Sequence, residues 1–348
     1  MKRVSSFLVF FLFVTLIIGG SIWYKDAITS KINGLTGSLI ESGSPSQVDF
    51  AIQDSGSIEV YFCPEEDCEN ELLNFIDSAQ QSLHCALYEI DLESVKQKLL
   101  DKARNIDVKV VTDDAYLDQF NYSFVKADKY GLMHNKFCVI DGKKVSTGSM
   151  NPTDNCAHKN NNNLLVIESK VLAQNYEDEF QEMWNGTFKK GAKVKNPKVA
   201  LGNITITSLF CPEDGCANAV KEELKKAQTS IYFMVFSFTH DGIGNILLLK
   251  HLDNITINGV MEVKQIDKDS EFSRLVNNGI DVRKDGNKYN LHHKVFIVDE
   301  ETVITGSFNP TQNGDKKNDE NLVIIKDKGI AREFVEEFWR VYEEGTET

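Results

Sequence analysis

Leu291 to Asn309 reads L-H-H-K-V-F-I-V-D-E-E-T-V-I-T-G-S-F-N, and Met133 to Asn151 reads M-H-N-K-F-C-V-I-D-G-K-K-V-S-T-G-S-M-N. Both follow one pattern: H-x-K, four residues, D, six residues, G-S-x-N. The residues between Lys and Asp, Phe137 to Ile140 and Val295 to Val298, are apolar and β-prone, which predicts a buried strand. That strand carries His and Lys at its start and Asp at its end. A second short strand follows, Val145–Thr147 or Val303–Thr305, and G-S-x-N closes it. Glycine there permits close backbone approach, and Ser and Asn offer short hydrogen-bonding groups.

One such unit presents an imidazole, an ammonium, a hydroxyl and an amide. This is a poor metal-ligand set, because the lysine repels cations and attracts anions. Two units face to face would surround one anionic centre with two imidazoles, two ammonium groups and two amides. That arrangement suits a phosphodiester. One imidazole attacks phosphorus while the other protonates the leaving oxygen. The Lys and Asn pairs hold the non-bridging oxygens. The chemistry calls for no metal and no cofactor.

H-x-K-x4-D-x6-G-S-x-N, twice in one chain and in identical register, resembles the phospholipase D superfamily. The likeness runs from about Ser57 to Glu344. It implies an α/β fold of two pseudo-symmetric sandwich halves with the active site between them. It also implies a phosphohistidine intermediate, and catalytic roles for His134, Lys136, Asp141, His292, Lys294 and Asp299. Ser149, Asn151, Ser307 and Asn309 are expected to bind the substrate phosphate. The superfamily pattern adds a carboxylate after the second motif, and Asn318-Asp319-Glu320-Asn321 supplies Glu320. Its implied role is to fix the far nitrogen of a catalytic imidazole, and within its own copy that is His292. The first copy has Asn160-Asn161-Asn162-Asn163, so Asn162 stands in the glutamate's place. By analogy with two-copy relatives, His134 is the expected nucleophile and His292 the acid. A carboxylate beside His292 argues the other way.

The repeat extends beyond the motifs. Val60-Tyr-Phe-Cys-Pro-Glu-Glu matches Ser208-Leu-Phe-Cys-Pro-Glu-Asp. A strand, helix, strand, helix, strand order follows in each half, with strands expected over Ser82–Tyr88 and Ser230–Phe238. Closing helices are expected over Leu172–Trp184 and Ile330–Tyr342, with Phe180 and Phe338 facing the core. Between Asp113 and Tyr130 the first half carries Tyr116, Phe120 and Tyr122, either at the cleft mouth or packing on one another. The expected division is 58–188 for the first half, 189–203 for a linker and 204–345 for the second half. Two motifs in one chain make a monomer sufficient for one active site.

The 348 residues carry a formal charge of −14, which gives little support to a broad basic nucleic-acid surface. Residues 1–25 open with Lys2 and Arg3, and an apolar run ends in Trp23 and Tyr24. Its length is about the 20 residues a membrane helix needs. The reading is a transmembrane anchor with the body outside the cytoplasm, or a signal segment cleaved on export. Residues 26–57 read as a flexible tether. Cys63 and Cys68, like Cys211 and Cys216, fall at matching places in the two halves. Local disulfides, a shared zinc site and free thiols all fit that spacing. Cys85 and Cys138 read as buried core thiols. Membrane phospholipid is the preferred substrate class, and single-stranded or duplex nucleic acid cut by the same chemistry is the alternative. An inactive phosphate-binding scaffold is a third reading, opposed by the survival of both His–Lys pairs.

Overall fold

The computed structural model describes residues 50–129 and 131–346. The N-terminal anchor and most of the tether expected from sequence lie outside the described residues. Among the described residues, no helix is long and apolar enough to cross a membrane.

The first half contributes strands β2 (Ile58–Cys63), β3 (Ser82–Leu87), β4 (Asp107–Asp113), β5 (Val125–Asp128), β6 (Lys136–Ile140), β7 (Lys144–Gly148) and β8 (Asn162–Glu168), preceded by β1 (Ile52–Asp54). The second contributes β9 (Lys198–Leu201), β10 (Ile204–Cys211), β11 (Ser230–Val235), β12 (Thr256–Met261), β13 (Asp281–Lys284), β14 (Lys294–Val298), β15 (Thr302–Gly306) and β16 (Glu320–Lys326). One sheet runs β2-β8-β7-β6-β3-β4-β5, and the other runs β1-β9-β10-β16-β15-β14-β11-β12-β13. From β10 onward the second order repeats the first strand for strand. Both sheets are mixed: β3, β4 and β5 run parallel, while β6, β7 and β8 form an antiparallel meander.

Helices α1 (Cys68–Asp77), α2 (Glu93–Ala103) and α3 (Asp154–His158) cover the outer face of the first sheet. The closing helix α4 (Lys170–Trp184) packs its Leu172, Tyr176 and Phe180 inward. Helices α5 (Cys216–Lys225), α6 (Asp241–Leu252) and α7 (Phe272–Asn277) cover the outer face of the second sheet, with α8 (Gln312–Lys316) after its motif. The second closing helix, α9 (Lys328–Glu344), buries Phe334 and Phe338. One central core joins α4 and α9 to the inner faces of both sheets. The halves are therefore fused along a shared apolar layer rather than merely abutted.

Two expectations about linkers change. Ile52–Asp54 lies within the stretch read as a tether, yet it pairs parallel with Val199–Leu201 and extends the second sheet. Lys198–Leu201, read as part of the linker between halves, is that partner strand. Both segments are short, and each gains its backbone hydrogen bonds only in the folded sheet.

The cysteines also differ from one expectation. Cys63–Cys68 and Cys211–Cys216 are local disulfides. Cys85 and Cys138, expected as free core thiols, face each other across β3 and β6 and form a third. Cys156 is the free thiol. The motif glycines behave as read: a Cβ on Gly148 or Gly306 would sit 2.4 Å from the carbonyl oxygen of Asn163 or Asn321, and both φ angles are positive.

Candidate active site

His134 and His292 stand just ahead of β6 and β14, and each is docked on the other half. The His134 amide donates to the Asp319 carbonyl at 2.9 Å, and the Asp319 amide donates back to Leu132 at 3.0 Å. The His292 amide donates to Asn161 at 2.9 Å, and the Asn161 amide donates to Asn290 at 3.0 Å. These short reciprocal bridges bring the two imidazoles to one cleft of about 610 Å³.

The side chains cross in the same sense. His134 Nδ1 lies 2.7 Å from Glu320 Oε2, and His292 Nδ1 lies 2.8 Å from Asn162 Oδ1. The carboxylate therefore serves the histidine of the opposite copy, not His292 as position in the repeat had suggested. The cause is the bridging: Asp319 pairs with Met133, so the next residue, Glu320, faces His134. Asn162 donates its amide hydrogens to the carbonyls of Cys156 and Asn160, at 3.0 and 3.3 Å. Its oxygen is thereby turned toward His292, and His292 Nδ1 must be the donor.

Ser149 and Ser307 are fully buried. Ser307 Oγ donates to Glu320 Oε2 at 2.7 Å, and Ser149 Oγ donates to Asn162 Oδ1 at 3.2 Å. Each hydroxyl also accepts a backbone amide, from Asn321 and Asn163. The geometry makes them supports for the groups that orient the histidines, not phosphate contacts. Asn318 Nδ2 holds the other Glu320 oxygen at 3.1 Å.

Lys136 and Lys294 are buried, and each Nζ donates to the carbonyl of its own motif histidine, at 2.7 and 2.6 Å. Each also lies 5.1 Å from a ring centroid, Tyr88 for Lys136 and Phe236 for Lys294. The same rings meet His134 and His292 edge-on at 5.0 and 4.9 Å. Tyr88 and Phe236 were not singled out from sequence. Their signal was the aromatic residue shared by the two matching strand ends. Asn151 and Asn309 line the cleft, and each has a buried Oδ1 without a hydrogen-bond partner.

Asp141 and Asp299, expected in the catalytic set, are not at the cleft. Each follows the far end of a five-residue strand, roughly 16 Å from the lysine that opens it. Asp141 accepts the backbone amides of Gln80, Gln81 and Ser82; Asp299 accepts those of Gln228, Thr229 and Ser230. They tie the helix-to-strand turn of each half to the motif hairpin.

Burial holds both imidazoles well below the usual histidine value, with Lys136 and Lys294 adding to the effect. Burial likewise pushes Lys136 down to about 8 and Lys294 well below its usual range. It raises Glu320 to about 7, against the pull of Lys136. An anion entering this cleft would favour the protonated forms of these lysines and imidazoles, so the electrostatics favour a bound phosphate. Two of the other five histidines take structural places. His293 is buried between Glu337 and Asn163, and His84 stacks on Phe180 beside Glu177. Tyr116 reaches Tyr88 at 3.4 Å, while Phe120, Tyr122 and Phe124 pack on one another.

Two matching halves that bring paired H-x-K strands to a shared cleft define a PLD-like architecture. The family described as cardiolipin synthase, PLD-like domain, matches residues 72–184 and again 220–342. The chain belongs to the phospholipase D superfamily, and its class is that of a phosphodiester hydrolase. It is similar to phospholipase D of Rickettsia conorii, 32% identical over 142 residues, which is 39% of this chain and 68% of that one. It is also similar to mitochondrial cardiolipin hydrolase of Mus musculus, 33% identical over 122 residues, 35% of this chain and 55% of that one. Among solved structures, phosphatidylserine synthase of Haemophilus influenzae shares the fold at 13% identity, with a TM-score of 0.66 over 85% of this chain and 89% of that one.

Proposed function

We propose that this protein hydrolyses the phosphodiester of a membrane phospholipid through a phosphohistidine on His134. The observation that carries the substrate class is the cleft wall. It is built from asparagine, serine, threonine and aromatic side chains, and it carries Glu89 and Asp91. No lysine or arginine lines it among the described residues; Lys136 and Lys294 are buried against the carbonyls of the two motif histidines. A polynucleotide presents phosphates on both sides of the scissile one, and the cleft wall itself, as distinct from its rim, offers them no counter-charge. A single headgroup phosphodiester needs only the two central lysines. Outside, Val263 and Tyr289 are exposed next to the lining residues Gln265 and Asn290, and Lys159 and Lys288 flank the Tyr289 ring. An apolar and basic rim of this kind suits an anionic lipid surface. The N-terminal segment, as a membrane anchor, belongs to the same reading.

In this mechanism the Nε2 lone pair of His134 attacks phosphorus, and the bond to the leaving oxygen breaks. That oxygen takes a proton from His292 Nε2. Water then attacks the phosphoryl group, gives its proton to His292 and releases His134. Glu320 stabilises the positive charge that His134 acquires on phosphorylation, while neutral Asn162 leaves His292 the more willing proton donor. Lys136, Lys294, Asn151 and Asn309 hold the non-bridging oxygens.

The test is to incubate the full chain with phosphatidylcholine and cardiolipin vesicles, single-stranded DNA and RNA. Headgroup release is expected from vesicles, lost in His134→Ala and His292→Ala. Radiolabelled phosphoryl trapped by rapid denaturation should map to His134. Cleavage of nucleic acid with vesicles left intact would overturn the lipid assignment, and label on His292 would reverse the two roles.

A further inference from the structure

The pseudo-twofold is broken between the two closing helices, away from the cleft. On α9, Glu337 is buried, and its carboxylate is neutralised from two sides. His293 Nε2 lies 3.0 Å away, and Arg340 donates through Nε and Nη2 at 2.8 Å each. Arg340 also reaches Glu65 at 3.1 Å, from the loop after β2. The matching position on α4 is Glu179, beside Phe180 as Glu337 is beside Phe338. Here every cationic partner is gone. Asn135 stands where the second half has His293, and Glu182 stands where it has Arg340. Glu213, from the loop after β10, replaces Glu65.

Three carboxylates therefore converge without a guanidinium among them. Oxygens of Glu179, Glu182 and Glu213 all lie within 4.8 Å of one another. Glu179 is only 6% exposed, yet makes no hydrogen bond or ion pair among the described residues. It lines a cavity of about 210 Å³ with Asn175, Glu182 and Val194. Glu213 Oε2 and Asp319 Oδ2 are buried oxygens that also lack partners. Lys193 and Lys195 border the cavity, but neither is ion-paired to these carboxylates. Burial holds Glu179 well above its usual value, and Glu213, Asp319, Glu182 and Asp214 add to the effect; burial raises Glu213 to about 7. Concentrated, desolvated negative charge of this kind is costly unless a proton or a cation meets it.

We propose that Glu179, Glu182 and Glu213 bind a calcium ion, which takes in the first half the place that the Arg340 guanidinium takes in the second. All donors are hard oxygens, with no His or Cys to favour zinc. Calcium–oxygen distances of about 2.3–2.6 Å allow ligand oxygens up to roughly 5 Å apart, as found here. The ion would clamp α4 of one half to the loop after β10 of the other. Its role is structural, and no step of the phosphoryl chemistry passes through it.

The full chain, stripped with EGTA, should bind one calcium ion per molecule in a calorimetric titration with calcium chloride. Its unfolding midpoint should rise by about 5 °C or more in 1 mM calcium. Glu182→Arg rebuilds the second half's arrangement. It should abolish calcium binding while giving, in EGTA, the midpoint of the calcium-loaded wild type. Glu179→Gln should lose calcium binding and stay folded, and it carries the test should Glu182→Arg fail to fold. A wild-type chain with neither binding heat nor a midpoint shift overturns the proposal. So does retention of one calcium per chain by Glu179→Gln. A midpoint insensitive to calcium but lowered by joint Lys193→Ala and Lys195→Ala substitution would show that these lysines neutralise the cluster, and would equally overturn it.

Discussion

Glu320 and His134 come from opposite copies of the repeat, yet Oε2 and Nδ1 lie 2.7 Å apart. The contact needs the Asp319–Met133 bridge, so His134 is correctly oriented only when the halves are joined. A carboxylate in this position fixes the Nδ1–H tautomer and leaves the Nε2 lone pair free, as the proposed attack on phosphorus requires. The two copies thereby differ: one imidazole has an anionic partner and the other a neutral amide.

Glu320→Gln should therefore lower kcat by about 10²- to 10⁴-fold with little change in KM, because the amide can hold the ring but cannot balance its charge. Ser307→Ala, which removes one support of that carboxylate, should cost roughly tenfold. Steady-state kinetics on the preferred phosphodiester check both. A Glu320→Gln enzyme with wild-type kcat would remove the carboxylate from the mechanism.

The pH profile follows from the two lowered imidazoles. Each is depressed by burial first and the lysines next, so kcat/KM, which reports the free enzyme, should peak below about pH 6.5. Asn162→Asp places a second carboxylate beside His292. An anion stabilises imidazolium, so the pKa of the acid rises and the alkaline limb should move to higher pH. An unmoved alkaline limb would mean that His292 is not the group titrating there.

Much of this site could be read from the chain. The paired H-x-K and G-S-x-N spacings name the residues, and the apolar runs between them name the strands that carry them. The crossing of Glu320 to His134 could not be read, because it is set by a bridge between segments far apart in sequence. Register is equally hidden: Cys85 and Cys138 lie on strands whose alignment alone makes them partners. Asp141 is a different case. Its distance from Lys136 follows from strand geometry, and shared motif membership had obscured it.

Asp141 and Asp299 accordingly serve stability. Burial opposes their ionised form, but backbone amide hydrogen bonds outweigh it, so each carboxyl sits below its usual value. A depressed folded-state pKa gives stability that is present above the unfolded value and lost as pH falls through the folded one. Asp141→Asn should cost about 1–3 kcal/mol in denaturant unfolding, with kcat/KM per folded molecule unchanged. Asp299→Asn should behave alike. A large loss of turnover in a fully folded Asp141→Asn chain would restore the catalytic role that its place in the motif suggested.

The last prediction concerns the thiols. Six of the seven cysteines are joined as Cys63–Cys68, Cys85–Cys138 and Cys211–Cys216, leaving Cys156. Alkylation of the unfolded, unreduced chain should add one label, mapping to Cys156, and prior reduction should raise the count to seven. Cys156 is buried, with Sγ 3.9 Å from His292 Nδ1. In the folded protein Cys156 lines the active-site cleft, so labelling should be slower than in the unfolded chain. Cys85–Cys138 spans a longer loop than the two local bridges, and loop-closure entropy makes it the more stabilising. Joint Cys85→Ala and Cys138→Ala substitution should lower the unfolding free energy by about 2–4 kcal/mol, more than removal of either local pair. Three or more labels on the unreduced chain from an oxidising preparation would break this assignment of the cysteines.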